Sequence, residues 1–241
     1  MSSAIPGHPH VAPGSDPRSA PVARISRSAL TANARAARDR GIRAYDTAIL
    51  RADAWGHGTA LVRDVLGAAG LEPREYRVVV SATASAAVPA RTDALAAAVL
   101  FGLPGAQRSA APALRLTGTV LSVKDLRAGE GVSYGYAYRA PADTRVALVT
   151  GGYAQGVVRG LGGAVDVAIA GERHLIVGRV AMDVCVVEIT DAAIPRGAEV
   201  LFLGDPAQGE PSLADWVRAT GLTAGELVTM VGLRAIRQEA P

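Results

Sequence analysis

Covalent amine chemistry in this chain has a single candidate, because Lys124 is the only lysine among 241 residues. Thiol chemistry rests in the same way on Cys185, which has no partner for an internal disulfide. It sits in the apolar run Val184-Cys-Val-Val187, where a small hydrophobe packed in a strand is the expected role. His8 and His10 are close enough to suggest a metal, but a lone pair in a Pro-, Gly- and Ser-rich segment is expected to bind none. Guanidiniums are the plentiful group. They stay charged at ordinary pH and hold carboxylates through paired N–H donors.

The arginines are scattered and the net charge is only +3, so no stripe exists for a phosphate backbone, and nucleic acid is not an expected partner. No run of eighteen or more uncharged apolar residues and no signal peptide are apparent, so neither a membrane span nor export is expected, and the cytoplasm is the default.

These side chains need elements to hold them. Residues 1 to 21 lack periodicity and read as a disordered leader. Ser26 to Arg40 reads as a helix ended by Gly41. Ala44 to Leu50 reads as a strand entering the turn Asp53-Ala-Trp-Gly-His-Gly58. A helix capped by Thr59 follows, with Leu61, Val62, Val65, Leu66 and Ala69 on one face and Gly70 at its end. Tyr76 to Ser81 is a second strand candidate, before the Ala-rich run 82–98. Short strands then recur at Leu114–Val123, Arg145–Thr150, Val165–Ala170, His174–Ile189 and Glu199–Leu203. A short helix opens at Ser212, and a last one runs from Thr223 to Arg234.

Four stretches, in order, resemble the alanine racemases, a family of pyridoxal-phosphate (PLP) enzymes. Ala48-Ile-Leu-Arg-Ala-Asp-Ala-Trp-Gly-His-Gly58 is similar to the family signature AVVKADAYGHG, with Arg51 in place of its lysine. Ser81-Ala-Thr-Ala-Ser-Ala-Ala87 and Leu100-Phe-Gly-Leu-Pro104 partly resemble the segments that end its barrel. Gly129-Glu-Gly-Val-Ser-Tyr-Gly135 and Gly152-Tyr-Ala-Gln-Gly156 resemble GExVSYG and GYADG. Val177-Gly-Arg-Val-Ala-Met-Asp183 resembles VGRVxMD, and Thr223-Ala-Gly-Glu-Leu-Val228 resembles the family's final helix.

The resemblance implies an α+β fold: an alanine-racemase-type β-rich C-terminal domain over 109–241, preceded by a small α/β lobe over 22–108. Those 87 residues are too few for a TIM barrel of about 250 residues, so the lobe reads as a barrel remnant. The resemblance also marks Tyr134 as the catalytic tyrosine. It places Tyr153, Arg159, Arg179, Met182 and Asp183 along the catalytic face or substrate corridor, facing the N-terminal lobe of a partner chain in a homodimer. On that geometry the phenol of Tyr134 approaches Arg51 of the other copy, whose charge lowers the phenol's ordinary value of about 10 and favours a proton-accepting phenolate.

The resemblance equally implies cofactor contacts that do not match. A Schiff base needs a neutral amine, which a guanidinium at 51 cannot supply. Lys124 falls where the family often has a surface lysine. The arginine that faces the pyridine nitrogen corresponds to Leu95 and the phosphate tyrosine to Gly225, which leaves Ser85. The sequence expectation is therefore no cofactor, PLP having been considered and disfavoured. The expected activity is proton transfer on a small, carboxylate-bearing molecule: an isomerase, cyclase or lyase using Tyr134, Arg51 and Asp183, with Tyr153, Arg159, Arg179, Met182, Trp55 and His57 binding substrate.

Each residue has a plainer role beside this one. Tyr134 could be held only by its Ser–Gly turn, and Arg159 and Arg179 could be solvated or paired with Asp183. Met182 suits the core, Asp53 and His57 suit scaffolding, and Trp55, Tyr136 and Tyr138 suit packing as well as a pocket. Two other functions stay open: a non-catalytic binding or assembly module, and a residual PLP-dependent amino-acid racemase.

Overall fold

The computed structural model describes residues 20–75, 93–106 and 110–241, with the backbone alone at Tyr134. The expected leader up to residue 19, the strand at Tyr76–Ser81, Ser85, His8 and His10 lie outside the described residues.

The first strand, β1 (Val22–Ser26), leads directly into helix α1 (Arg27–Asp39). Ser26 is the hinge between them, its hydroxyl accepting the Ala29 amide at 3.1 Å as an N-cap. Leu30, Asn33, Ala34 and Ala37 form the buried stripe of α1 at helical spacing. Asn33 is buried without cost because its amide is fully used: it donates to the carbonyls of Leu100 and Ala111 and accepts from the Ala111 amide.

Strand β2 (Ala44–Asp46) is shorter than the sequence pattern suggests. The Asp46 carboxylate accepts the Ala48 amide at 2.9 Å, and this turns Thr47–Leu50 into a 3-10 helix instead of further strand. After the left-handed turn α2 (Arg51–Trp55) comes α3 (Thr59–Ala68), which buries Val62, Val65 and Leu66. Strands β3 (Glu72–Arg74) and β4 (Ala94–Leu95) flank β2 in a small parallel sheet of order β3-β2-β4, followed by the single-turn helix α4 (Ala97–Leu100).

The larger sheet holds β5 (Leu114–Leu126), β8 (Thr144–Thr150), β9 (Asp166–Ile169), β10 (Glu172–Val177), β11 (Val184–Glu188) and β12 (Glu199–Leu203). Its order is β12-β9-β10-β11-β8-β5-β1-β13, with β13 being Ile236–Ala240. Because β12 also pairs with β5, six of these strands close on themselves into a barrel, which removes their open edges. The arrangement is the mixed α+β architecture with a barrel-like second part that the sequence implies. The single strand expected over His174–Ile189 is two antiparallel strands, β10 and β11, because Gly178 at φ +68° opens a return loop. A two-stranded ribbon, β6 (Gly131–Val132) and β7 (Tyr138–Arg139), stands off the barrel.

Two helices finish the chain. Helix α5 (Leu213–Thr220) is capped by Ser212 and buries Trp216. Helix α6 (Ala224–Arg234) opens with a capping box in which Thr223 and Glu226 satisfy each other's amides. From α6 the chain runs into β13, parallel to β1, so both ends of the described chain lie side by side in the larger sheet.

Candidate functional site

The first motif folds into a strained turn. Ala52, Asp53, Ala54 and Trp55 all have φ between +49° and +54°, four successive non-glycine residues in the left-handed region. Each costs about 1–2 kcal/mol there, so the surroundings must hold the turn in place. The Asp53 carboxylate does much of this: Oδ1 accepts the Thr59 amide at 2.7 Å and Oδ2 pairs with Arg237 at 2.6 Å. The bond from Thr59 and the pairing with Arg237 hold the Asp53 carboxyl below its ordinary value. Thus Asp53, reaching back across the turn, caps α3, and Thr59, the expected cap, is the first helical residue. Arg237 also donates to the Gly56 carbonyl, tying β13 to the same turn.

His57 sits beneath the turn, essentially inaccessible, stacked on Phe101 with ring centroids 4.0 Å apart. Its Nδ1 lies 3.1 Å from two carbonyl oxygens, those of Ala54 and Trp55. Both are acceptors, so Nδ1 carries the proton and Nε2 is left bare and without a partner among the described residues. Burial, only partly offset by those carbonyls, pushes the imidazole down to about 4. His57 is therefore a neutral strut. Its expected substrate-binding role is corrected by burial, which leaves no path to a ligand.

Trp55 is half-buried, 5.8 Å from Phe101 by ring centroid. A Cβ on Gly225 would lie 2.6 Å from its Cζ3, and one on Gly56 would lie 2.7 Å from the Cα of Gly232. Glycines at 225, 56 and 232 are what let α6 lie directly on the turn. An open groove of about 500 Å³ remains beside Trp55, bounded by Leu222, Gly225, Glu226, Thr229 and Met230. Arg51 is exposed, and its side chain makes no hydrogen bond or ion pair among the described residues.

The second group assembles on the barrel through backbone bonds. Tyr134 lies in a 3-10 turn between β6 and β7, next to Ser133 at φ +67° and Gly135 at φ +71°. The Ser133 hydroxyl accepts the Arg179 amide at 2.8 Å, fastening the Tyr134 loop to the 178–183 loop. That loop is fastened in turn to Gly151–Gly156: the Tyr153 amide donates to Ala181, the Ala154 amide to Met182 and the Gly151 amide to Asp183. Gly152 permits this contact, since a Cβ there would collide with the Met182 carbonyl. A Cβ on Gly156 would lie 2.8 Å from the Cα of Val231, so α6 carries this loop on one side and the left-handed turn on another.

Arg159 and Arg179 are exposed and form no ion pair among the described residues; Arg159 lies over the ring of Tyr153 at 5.8 Å. Neither pairs with Asp183, whose carboxylate accepts instead from Gln155 Nε2 at 2.7 Å. Met182 is 54% exposed, which corrects the core reading. Tyr136 is exposed beside Arg139, whereas Tyr138 donates to Glu188 at 2.7 Å. Burial and that carboxylate push the Tyr138 phenol up to about 12; among the described residues the groove at Trp55 is bordered by neither Tyr136 nor Tyr138. Cys185 is buried and its thiol is pushed up to about 12 by desolvation, as an inert core residue should be.

Within one copy no hydrogen bond or ion pair among the described residues joins Arg51, Trp55 or His57 to Tyr153, Arg159, Arg179, Met182 or Asp183. Sequence reading passed over Arg237, Gln155 and Ser133. Arg237 and Ser133 gain their importance only from partners distant in the chain, while the side chain that Gln155 reaches, Asp183, was itself singled out.

The sequence profile described as "Alanine racemase, C-terminal domain" matches residues 113–239. Alanine racemase from Thermobifida fusca is 35% identical over 178 residues, 72% of this chain and 48% of that one. The Mycobacterium leprae enzyme is 44% identical over 128 residues, 52% of this chain and 33% of that one. Alanine racemase from Streptomyces coelicolor matches in fold with a TM-score of 0.78 at 20% identity, over 92% of this chain and 98% of that one. The chain spans half or less of the length of these two curated relatives. Among the described residues no helix is long and apolar enough to cross a membrane.

These relatives correct the expectation of no cofactor, since alanine racemases are the PLP enzymes that the motifs resemble. The described residues nevertheless do not fit that group as the family holds it. An exposed guanidinium stands at 51, Leu95 is buried in β4, and Trp55 fills the space that a side chain at 225 would need. Lys124 is exposed on β5 opposite Val146.

Proposed function

The chain belongs to the alanine racemase family, and on that premise we propose that it transfers a proton on a small, carboxylate-bearing amino acid. Tyr134 exchanges the proton at its phenolic oxygen. Arg159 and Arg179 bind the carboxylate with paired N–H donors. The observation that carries this reading is the pair of exposed guanidiniums without carboxylate partners among the described residues, one of them, Arg179, on the loop fastened to the Tyr134 turn through Ser133.

A second copy completes the site. Arg51 of that copy, exposed and without an ion-pair partner among the described residues of its own chain, supplies a positive charge to the site. Asp183, fixed by Gln155, orients the 178–183 loop, and Met182 and Tyr153 provide exposed apolar surface for the substrate's side chain. The division into a lobe before residue 109 and a β-rich domain after it is kept, with β1 assigned to the latter because its pairing partners are β5 and β13.

The test is exchange of the Cα proton of alanine and other small amino acids in D2O, followed by NMR with and without added PLP. The expected result is exchange above the rate without protein, reduced about 100-fold or more in Tyr134→Phe and weakened through KM in Arg179→Gln. Exchange that is the same in the parent and Tyr134→Phe proteins sinks the reading. Binding of amino acid without exchange favours the non-catalytic module instead.

A further inference from the structure

The groove beside Trp55 has a chemical character of its own. Trp55, Leu222 and Met230 give it apolar walls, and Gly225 keeps the indole uncovered, since any Cβ there would lie 2.6 Å from Cζ3. Thr229 is spent as a donor, its hydroxyl bonding the Gly225 carbonyl at 2.6 Å. Among the described residues that line it, the charged group is the Glu226 carboxylate. Its Oε2 holds both the amide and the hydroxyl of Thr223 at 2.7 Å, while Oε1 makes no hydrogen bond among the described residues.

Two electrostatic effects oppose each other here. The groove lies at the first turn of α6, where the helix presents about +0.5 of a charge. Glu226 contributes a full negative charge at the same place, so the balance is negative, and among the described residues no arginine or lysine borders the groove to reverse it. An aromatic ring next to a carboxylate attracts a cation from two directions.

The geometry points to a binding site for a small organic ammonium with an apolar body. Its hydrocarbon packs on Leu222 and Met230, and its charged head sits between the indole of Trp55 and the carboxylate of Glu226. This goes beyond the proton-transfer reading and does not rest on it, because neither Tyr134 nor the arginines of the barrel loops border the groove.

Three probes of equal size and different charge test it on the full chain: 2-phenylethylammonium, 2-phenylethanol and 3-phenylpropionate. Binding is followed by tryptophan fluorescence and by amide chemical shifts, with the buried Trp216 as an internal reference. The ammonium should bind first, the alcohol about threefold more weakly and the acid weakest. Glu226→Gln keeps a side chain able to complete the capping box and should erase the preference for the ammonium over the alcohol. Gly225→Ala should weaken all three probes by covering the indole. The proposal is overturned by an absence of saturable binding, by an alcohol or acid that binds as tightly as the ammonium, or by a Glu226→Gln protein that keeps the parent's ranking.

Discussion

Acid should destabilise this protein through one buried ring. His57 is pushed down to about 4 in the folded chain, against an ordinary value of 6.5. Between those two pH values the unfolded chain carries a proton that the folded chain refuses, so stability rises with pH across the window. The contribution is complete above about pH 6.5 and is lost progressively as pH falls towards 4. At 1.36 kcal/mol per pH unit the full span is worth about 3 kcal/mol, a large share of the 5–15 kcal/mol typical of a domain. The variant to compare is His57→Asn, whose amide can still donate towards the carbonyls of Ala54 and Trp55 but does not titrate. Urea unfolding of both proteins, followed by circular dichroism from pH 7.5 down to 4.5, should show the parent losing about 2–3 kcal/mol more than the variant. Carboxylate titration affects both proteins and cancels in that difference. Parallel pH profiles, or an imidazole that titrates at 6.5 or above by NMR in the folded protein, would refute the assignment of His57 as a buried neutral strut.

Other consequences are local. Gly232→Ala should cost about 2–3 kcal/mol in thermal or urea unfolding, because its new Cβ meets the backbone of Gly56 and not a yielding side chain. Arg237→Ala removes the partner of Asp53 and a donor to Gly56; both ionic groups are about one-third exposed, so the loss should be near 1 kcal/mol and should shrink in high salt. Phe101→Ala takes away the ring on which His57 stacks and should cost about 3–5 kcal/mol. Cys185 should ignore an aromatic disulfide reagent at neutral pH in the native protein and react fully in denaturant, since desolvation keeps it a thiol.

Local patterns were enough for the elements whose causes are local. The stripe in α1, the Thr223–Glu226 capping box and the strands β5, β8 and β12 follow from spacing and from turn residues beside them. Family motifs made the barrel part legible in the same way, and Cys185 read correctly as a core residue. The errors fall where a neighbour in space overrides a neighbour in sequence. Thr59 has a capping side chain, but Asp53 reaches its amide first. His57 has the chemistry of a ligand-binding residue, but Phe101 and two carbonyls enclose it. Met182 has the chemistry of a core residue, yet the return loop between β10 and β11 turns it outward.

Residue type and motif order alone determined the family and the lack of an amine at position 51. Tertiary structure alone decided which charged side chains of these motifs are already engaged and which stand exposed. Asp183 is engaged by Gln155 and Asp53 by Arg237, whereas Arg51, Arg159 and Arg179 keep their charge exposed. The physical reason is that a charged group's availability depends on what lies within a few ångströms of it, and α6 and β13 bring those neighbours from far along the chain.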